Sequence, residues 1–290
     1  MNLVPLGIPT LIIADGPQLV AAVRAAYAPW SVEAPVAESQ IELRLEVGTA
    51  SSAEGVSLDI TVEGSRLRLS GRGISGCADA TARRATAVVP SEIVNDPAAF
   101  ADLLDTLLLF ILTRNGRSPV HASAFMLGER AVVLAGRSGS GKSTLALAAA
   151  QRGRAILSDD MVFVQREPSF ALWGFPRPIH VFPDDAPRGK HVTRIRAGKV
   201  KAALPPPKAA SKAEKCTLVL LDRGKDLALD PIDRSEAVET LMDLDPGFDL
   251  LEQESREALT ELAAGGAWRL TLSRDPGAAI DLVTRRLAGA

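Results

Sequence analysis

A chain of 290 residues with 47% hydrophobic side chains can bury a large core and form one domain or two. A formal net charge of −2 excludes the strongly basic field of a nucleic-acid binder and the run of like charge of an acidic tail. Two cysteines, Cys77 and Cys216, lie far apart and outside metal-ligand spacing, which excludes a disulfide scaffold and suits a reducing compartment.

The first residues, Met1 to Thr10, lack the basic stretch of a signal peptide. The longest apolar run, Leu107 to Leu112 and its neighbours, is too short to span a bilayer. The expectation is a cytoplasmic protein with no membrane partner. Residues 1–116 read as an N-terminal α+β lobe. Gln40 to Val47 alternates, with Ile41, Leu43, Leu45 and Val47 on one face, and predicts a half-buried strand. Val56 to Val62 and Arg66 to Ser70 alternate likewise around a turn at Glu63-Gly64-Ser65. Pro97 to Arg114 reads as a helix, with Asp96 as N-cap and Asn115-Gly116 as the stop. Nothing in this lobe forms a catalytic constellation.

Residues 117–290 read as a nucleotide-binding domain. Val120 to Leu127 and Ala131 to Ala135 are predicted strands, joined by a turn at Gly128-Glu129-Arg130. Gly136-Arg137-Ser138-Gly139-Ser140-Gly141-Lys142-Ser143-Thr144 follows and matches the phosphate-binding loop. Leu145 to Ala150 then reads as helix. Strand, glycine loop and helix are the context that this motif requires. Glycines let backbone N–H groups converge on phosphate oxygens, and the helix start adds a positive dipole end. Lys142 can bridge the phosphates of ATP, and the Ser143 hydroxyl can hold Mg2+.

A third strand, Ala155 to Leu157, stops at Ser158-Asp159-Asp160. Ligands in open α/β sheets sit beyond the C-terminal ends of strands. There one carboxylate can hold Mg2+ and a second can take the proton of an attacking hydroxyl. An inert Asp-Asp turn is the plainer alternative. Met161 to Gln165 extends again, and Phe170 to Phe182 reads as irregular because of Pro176, Pro178 and the following Pro183. Arg177 in its Phe-Pro-Arg-Pro frame either reaches a transferring phosphoryl group or lies over the sheet edge. Residues 188–215 read as a flexible basic loop. Arg188, Lys190, Arg194, Arg196, Lys199 and Lys201 make it either a lid or a plain solvated loop. Thr217 to Leu221 is a buried strand, and Asp233 opens a helix to about Leu244. Asp249 to Ala264 is a second helix, Trp268 to Leu272 a strand, and Asp275-Pro276 begins the last helix. His121, one of three histidines, begins a strand, where a structural hydrogen-bonding role is the ordinary one.

Three segments together carry a resemblance: Val120-His121-Ala122-Ser123-Ala124, the loop Gly136 to Thr144, and Leu157-Ser158-Asp159-Asp160. In this order and spacing they resemble the HPr kinase/phosphorylase catalytic domain, over about 45 residues from His121 to Gln165. The resemblance implies a carboxykinase-like P-loop fold, with ATP and Mg2+ as cofactors and phosphoryl transfer to a serine hydroxyl. It implies Asp159 as catalytic base with His121 beside it, Asp160 assisting the metal, and Lys142 and Ser143 on phosphate and Mg2+. Two positions depart from the family. Gly174-Phe175-Pro176-Arg177-Pro178-Ile179 stands in place of a glycine-rich signature, and Arg137 stands where the bifunctional enzymes are acidic. Both bear on HPr as acceptor and on reversal of the reaction. The layout is closest to HPr-kinase-related peptide kinases such as the lasso-peptide kinases, which implies a precursor peptide or small protein as substrate. A small-molecule kinase and a non-catalytic nucleotide sensor remain alternatives, and homo-oligomer formation stays open.

Overall fold

The computed structural model describes residues 1–30, 39–48, 58–175, 177–189, 191–196, 198–244 and 252–288. They form an α/β protein of two compact units, Met1–Arg117 and Ser118–Ala290. No helix among the described residues is long and apolar enough to cross a membrane.

The first unit is built on a seven-stranded sheet. Its strands are β1 (Asn2–Leu3), β2 (Thr10–Ala14), β3 (Ile41–Gly48), β4 (Asp59–Glu63), β5 (Arg66–Gly71), β6 (Ile74–Asp79) and β7 (Arg84–Pro90), in the order β1-β2-β3-β7-β6-β5-β4. The alternation expected in β3 is present: Ile41, Leu43 and Leu45 are buried, while Val47 at the strand end is exposed. Of the strand expected over Val56 to Val62, the first two residues lie outside the described residues. Helices α1 (Pro17–Tyr27), α2 (Ser91–Val94) and α3 (Pro97–Thr113) complete the unit. Asp96 caps α3 as its sequence predicts, its Oδ1 accepting from Ala98 N at 3.0 Å and Ala99 N at 3.2 Å. Leu104, Leu107, Leu108 and Ile111 of α3 are fully buried, and Tyr27 of α1 donates its hydroxyl to Asp105 at 2.7 Å.

The second unit begins with β8 (Ser118–Val120), β9 (Ala122–Leu127), β10 (Arg130–Ala135), α4 (Lys142–Gln151), β11 (Ile156–Ser158) and β12 (Val162–Gln165). It continues with β13 (Ala171–Gly174), β14 (Ile179–Val181), β15 (Val192–Arg196), β16 (Lys199–Leu204) and β17 (Lys212–Ala213). The remainder is β18 (Lys215–Arg223), β19 (Ala228–Pro231), α5 (Arg234–Leu244), α6 (Glu252–Ala263), β20 (Ala267–Leu272) and α7 (Pro276–Leu287). The main sheet runs β11-β9-β10-β18-β20-β19, with β10, β18 and β20 parallel at its centre. Alternate residues of β10 enter two different cores. Ala131, Val133 and Ala135 join α5 and α6 on one side, and Val132 and Leu134 join α4 and α7 on the other. A strand buried on both faces reads as a continuous apolar run, which is how Ala131 to Ala135 reads.

The chain departs from its sequence expectations at three places. The strand expected over Val120 to Leu127 breaks at His121: β8 pairs with β12 in a four-stranded sheet, and β9 pairs with β10 and β11 in the main sheet. Phe170 to Phe182 is not irregular throughout but contains β13 and β14, its prolines falling between them; Pro176 lies outside the described residues. The expected basic loop over residues 188–215 is mostly sheet. β14, β16 and β15 form a three-stranded antiparallel sheet with Arg194 opposite Lys201, and the Pro205 to Pro207 run follows β16. Charge and proline dominate that segment's composition and conceal the short run Ala202, Ala203 and Leu204, which is buried at the end of β16. Lys190 there lies outside the described residues. The helix expected over Asp249 to Ala264 is described from Glu252 on, and its expected start lies outside the described residues.

Candidate functional site

Phosphate-loop geometry follows from the ends of β10 and α4. Residues 136–141 carry the chain from one to the other. Gly141 stands before the helix at φ 108°, and Gly136 leaves the strand at φ 155°. A Cβ on Gly136 would lie 3.0 Å from Ser140 Oγ and 3.1 Å from Leu221 O, so a glycine is needed there. Leu145 to Ala150 of α4 are all buried, which fixes the helix axis and the N–H groups at its start. Ser140 N donates to Arg137 O at 3.0 Å, and Arg223 Nη2, from the end of β18, donates to Gly139 O at 2.8 Å. Lys142 is only 7% exposed, and its Nζ donates to Gly136 O at 2.7 Å and Arg137 O at 3.3 Å. The ammonium therefore sits inside the curve of the loop. Ser143 and Thr144 are half-buried in the first turn of α4, while Arg137, Ser138 and Gly139 are exposed. A cavity of about 500 Å3 opens along the loop toward Asp222 and Arg223.

The two carboxylates after β11 have different surroundings. Asp159 is 5% exposed. Its Oδ1 accepts from Ser123 Oγ at 2.7 Å and its Oδ2 from His180 N at 3.0 Å, and the Ser143 hydroxyl acts on the same carboxyl. Burial pushes the Asp159 carboxyl above its ordinary value. Those three groups oppose that shift, and the neighbouring Asp160 charge adds to it. Asp160 adopts φ 92°, a left-handed conformation that costs strain in a non-glycine residue. Its side chain is 50% exposed, and its Oδ1 lies 3.4 Å from His121 Nδ1. Adjacent residues thus put one carboxylate under the phosphate loop and the other at the surface beside His121. Ser158 holds the turn: its Oγ contacts Met161 O, lies 3.2 Å from Phe175 O and accepts from Phe175 N at 3.3 Å.

This arrangement brings Lys142, Ser143 and Asp159 together and joins His121 to Asp160. The resemblance implies His121 beside Asp159; its Nδ1 lies 3.4 Å from the Oδ1 of the adjacent Asp160. Arg177 is half-buried, its guanidinium carbon 4.7 Å from the centre of the Phe175 ring. Three contributors escaped sequence reasoning. Ser123 stands mid-strand in β9, His180 acts through its backbone N–H, and Arg223 lies 84 residues from the glycine it holds. Only the pairing of β11 with β9, which puts Ser158 opposite Ala124, brings Ser123 to the carboxylate.

No cluster of three or more His, Cys, Asp or Glu side chains suited to a metal occurs among the described residues. A hydroxyl and one carboxylate, Ser143 and Asp159, nevertheless fit Mg2+, which commonly takes one or two protein oxygens and completes its shell with phosphate and water. A cation there would also relieve the cost of an ionised, buried Asp159.

No family model and no curated protein sequence matches the chain. Among solved structures it is similar to the HPr(Ser) kinase/phosphatase from Coxiella burnetii, at 12% identity, covering 58% of this chain and 94% of that chain, with a TM-score of 0.31.

Proposed function

We propose that this chain is an ATP- and Mg2+-dependent phosphotransferase that moves the γ-phosphoryl group onto a serine hydroxyl of a peptide or small protein. The observation that carries the reading is the burial of Asp159, whose carboxyl is influenced by the Ser143 hydroxyl in the first turn after the glycine loop. A plain glycine turn before a helix gives no reason to bury a carboxylate under it. Loop amides and Lys142 would bind the phosphates, and Ser143 with Asp159 would hold Mg2+, which when bound neutralises phosphate charge.

Positions in the site favour a division of labour opposite to the one the sequence resemblance implies. Asp159 is enclosed and tied to the loop, as a metal ligand should be. Asp160 is open to solvent and paired with His121, as a group receiving an acceptor's proton should be. Arg177 remains a candidate for contact with the transferring group. An exposed histidine–carboxylate pair weighs against a pure nucleotide sensor, which needs no proton acceptor. The test is incubation with radiolabelled ATP, Mg2+ and a serine peptide library, for the wild type and Asp160→Asn. The reading predicts phosphoserine in the first and a loss of about 10²–10⁴-fold in the second. Tight Mg-ATP binding without transfer to any hydroxyl would leave the sensor.

A further inference from the structure

Beside the glycine loop lies a second cavity of about 280 Å3, whose lining includes Gly136 to Ser138 and His121. Its other walls are apolar: Leu241 and Leu244 of α5, Leu259 of α6 and Val120 of β8. Leu241 and Leu259 are buried core residues, so this wall is packed in place. Ser255 of α6 also lines it. Its residue is 8% exposed, and its Oγ is buried without a hydrogen-bond partner. An unsatisfied buried hydroxyl is costly, and a ligand polar atom in the cavity would relieve the cost.

We propose that this cavity receives a compact apolar side chain next to the acceptor hydroxyl, with Ser255 Oγ bonding the backbone amide beside it. The inference rests on the phosphotransferase reading above. Three observations carry it. The cavity is lined both by the loop and by His121, beside which the acceptor hydroxyl arrives in that reading. Its volume is slightly below the roughly 300–1,000 Å3 of typical small-ligand pockets, which fits a side chain and its amide rather than a nucleoside. The walls from α5, α6 and β8 carry no ionisable group, so a charged neighbour lying against them would lose hydration without gaining a partner there. Burial of one aliphatic side chain there is worth roughly 10–100-fold in acceptor affinity.

Methyl spectra of protein carrying 13C-labelled leucine methyls test this in the presence of Mg-AMP-PNP. The probes are N-acetyl-leucyl-serinamide, N-acetyl-seryl-leucinamide and their alanyl and glutamyl counterparts. The expected result is that a leucyl probe shifts the methyls of Leu241, Leu244 and Leu259, with affinity at least about tenfold above the alanyl and glutamyl probes. Leu259→Trp should remove that preference and leave AMP-PNP affinity within about twofold. If that variant fails to fold, Ser255→Val fills the same space and should act alike. Equal affinities for leucyl and glutamyl probes, or no probe binding at all, would overturn the inference. So would methyl shifts on AMP-PNP alone together with loss of AMP-PNP binding in Leu259→Trp, which would give the cavity to the nucleotide. Leucyl-selective binding with no phosphoserine formed from labelled ATP would instead sink the phosphotransferase reading and keep the apolar pocket.

Discussion

His121 Nδ1 stands 3.4 Å from Asp160 Oδ1, and the histidine occupies the single residue between β8 and β9, where the chain leaves one sheet for another. The contact therefore joins a sheet corner to a strained turn. His121→Asn and Asp160→Asn should each lower phosphoryl transfer by about 10²–10⁴-fold while nucleotide affinity stays within about twofold. Because the two act as a pair, the double variant should be little worse than either single one. A double-mutant cycle on transfer rates checks this. Loss of Mg2+-dependent nucleotide binding in Asp160→Asn, with retention in Asp159→Asn, would restore the opposite roles.

Asp159 makes stability depend on pH in a predictable direction. Its folded carboxyl is held above the ordinary value of 3.8, chiefly by burial. The folded chain then keeps a proton to higher pH than the unfolded chain. The stabilising contribution of that proton is complete below 3.8 and disappears as pH rises through the raised folded value. Melting temperatures measured without Mg2+ or nucleotide should therefore fall across that window relative to Asp159→Asn, which cannot titrate. Parallel curves for the two proteins would mean that Asp159 is not held high. Adding Mg2+ with ATP should shift the melting temperature of the wild type more than that of the variant.

Gly136→Ala places a Cβ against Leu221 O and Ser140 Oγ at a φ that suits glycine. The backbone oxygen of Leu221 cannot retreat freely, since it belongs to β18 at the centre of the sheet. The loop must shift, so ATP affinity should fall at least about tenfold, the scale of one misplaced charge-assisted hydrogen bond. The melting temperature should change by only a few degrees. Calorimetric titration with ATP measures the first quantity, and wild-type affinity would show that the loop amides do not hold phosphate.

The two thiols should differ in reactivity. Cys216 is buried in β18, donates to Leu262 O at 3.3 Å, and has its thiol pushed up to about 12 by burial. Cys77 is exposed on β6. Native protein should present one thiol to Ellman's reagent at pH 8, and the second should appear only with denaturant. Cys77→Ser should abolish the native reaction; a surviving fast thiol would contradict the packing of β18 against α6.

The legible parts of this molecule were those in which chemistry is contiguous in sequence. The phosphate loop, its strand and its helix occupy adjacent positions, and Asp96 and Asp275 cap their helices through neighbours two or three residues on. Ser123 and Arg223 were not legible because sheet pairing alone brings them to Asp159 and Gly139. The division between Asp159 and Asp160 was not legible either. It depends on one backbone angle at Asp160, and both residues carry the same side chain. β15 and β16 were hidden because their sheet leaves Val192, Ile195 and Val200 exposed and buries only Ala202 to Leu204, so no alternation of apolar and charged residues marks the strands.

Complete burial of Leu145 to Ala150 has a consequence for hydrogen exchange. Residues 145–150 of α4 present no exposed side, so their amides should exchange far more slowly than those of an open loop. Arg137 to Gly139, just before the helix, are exposed, and their amides should exchange on their own. Binding of a nucleotide at the loop would then be read in the isotope uptake of residues 137–139, against a neighbouring helix that serves as an internal clock.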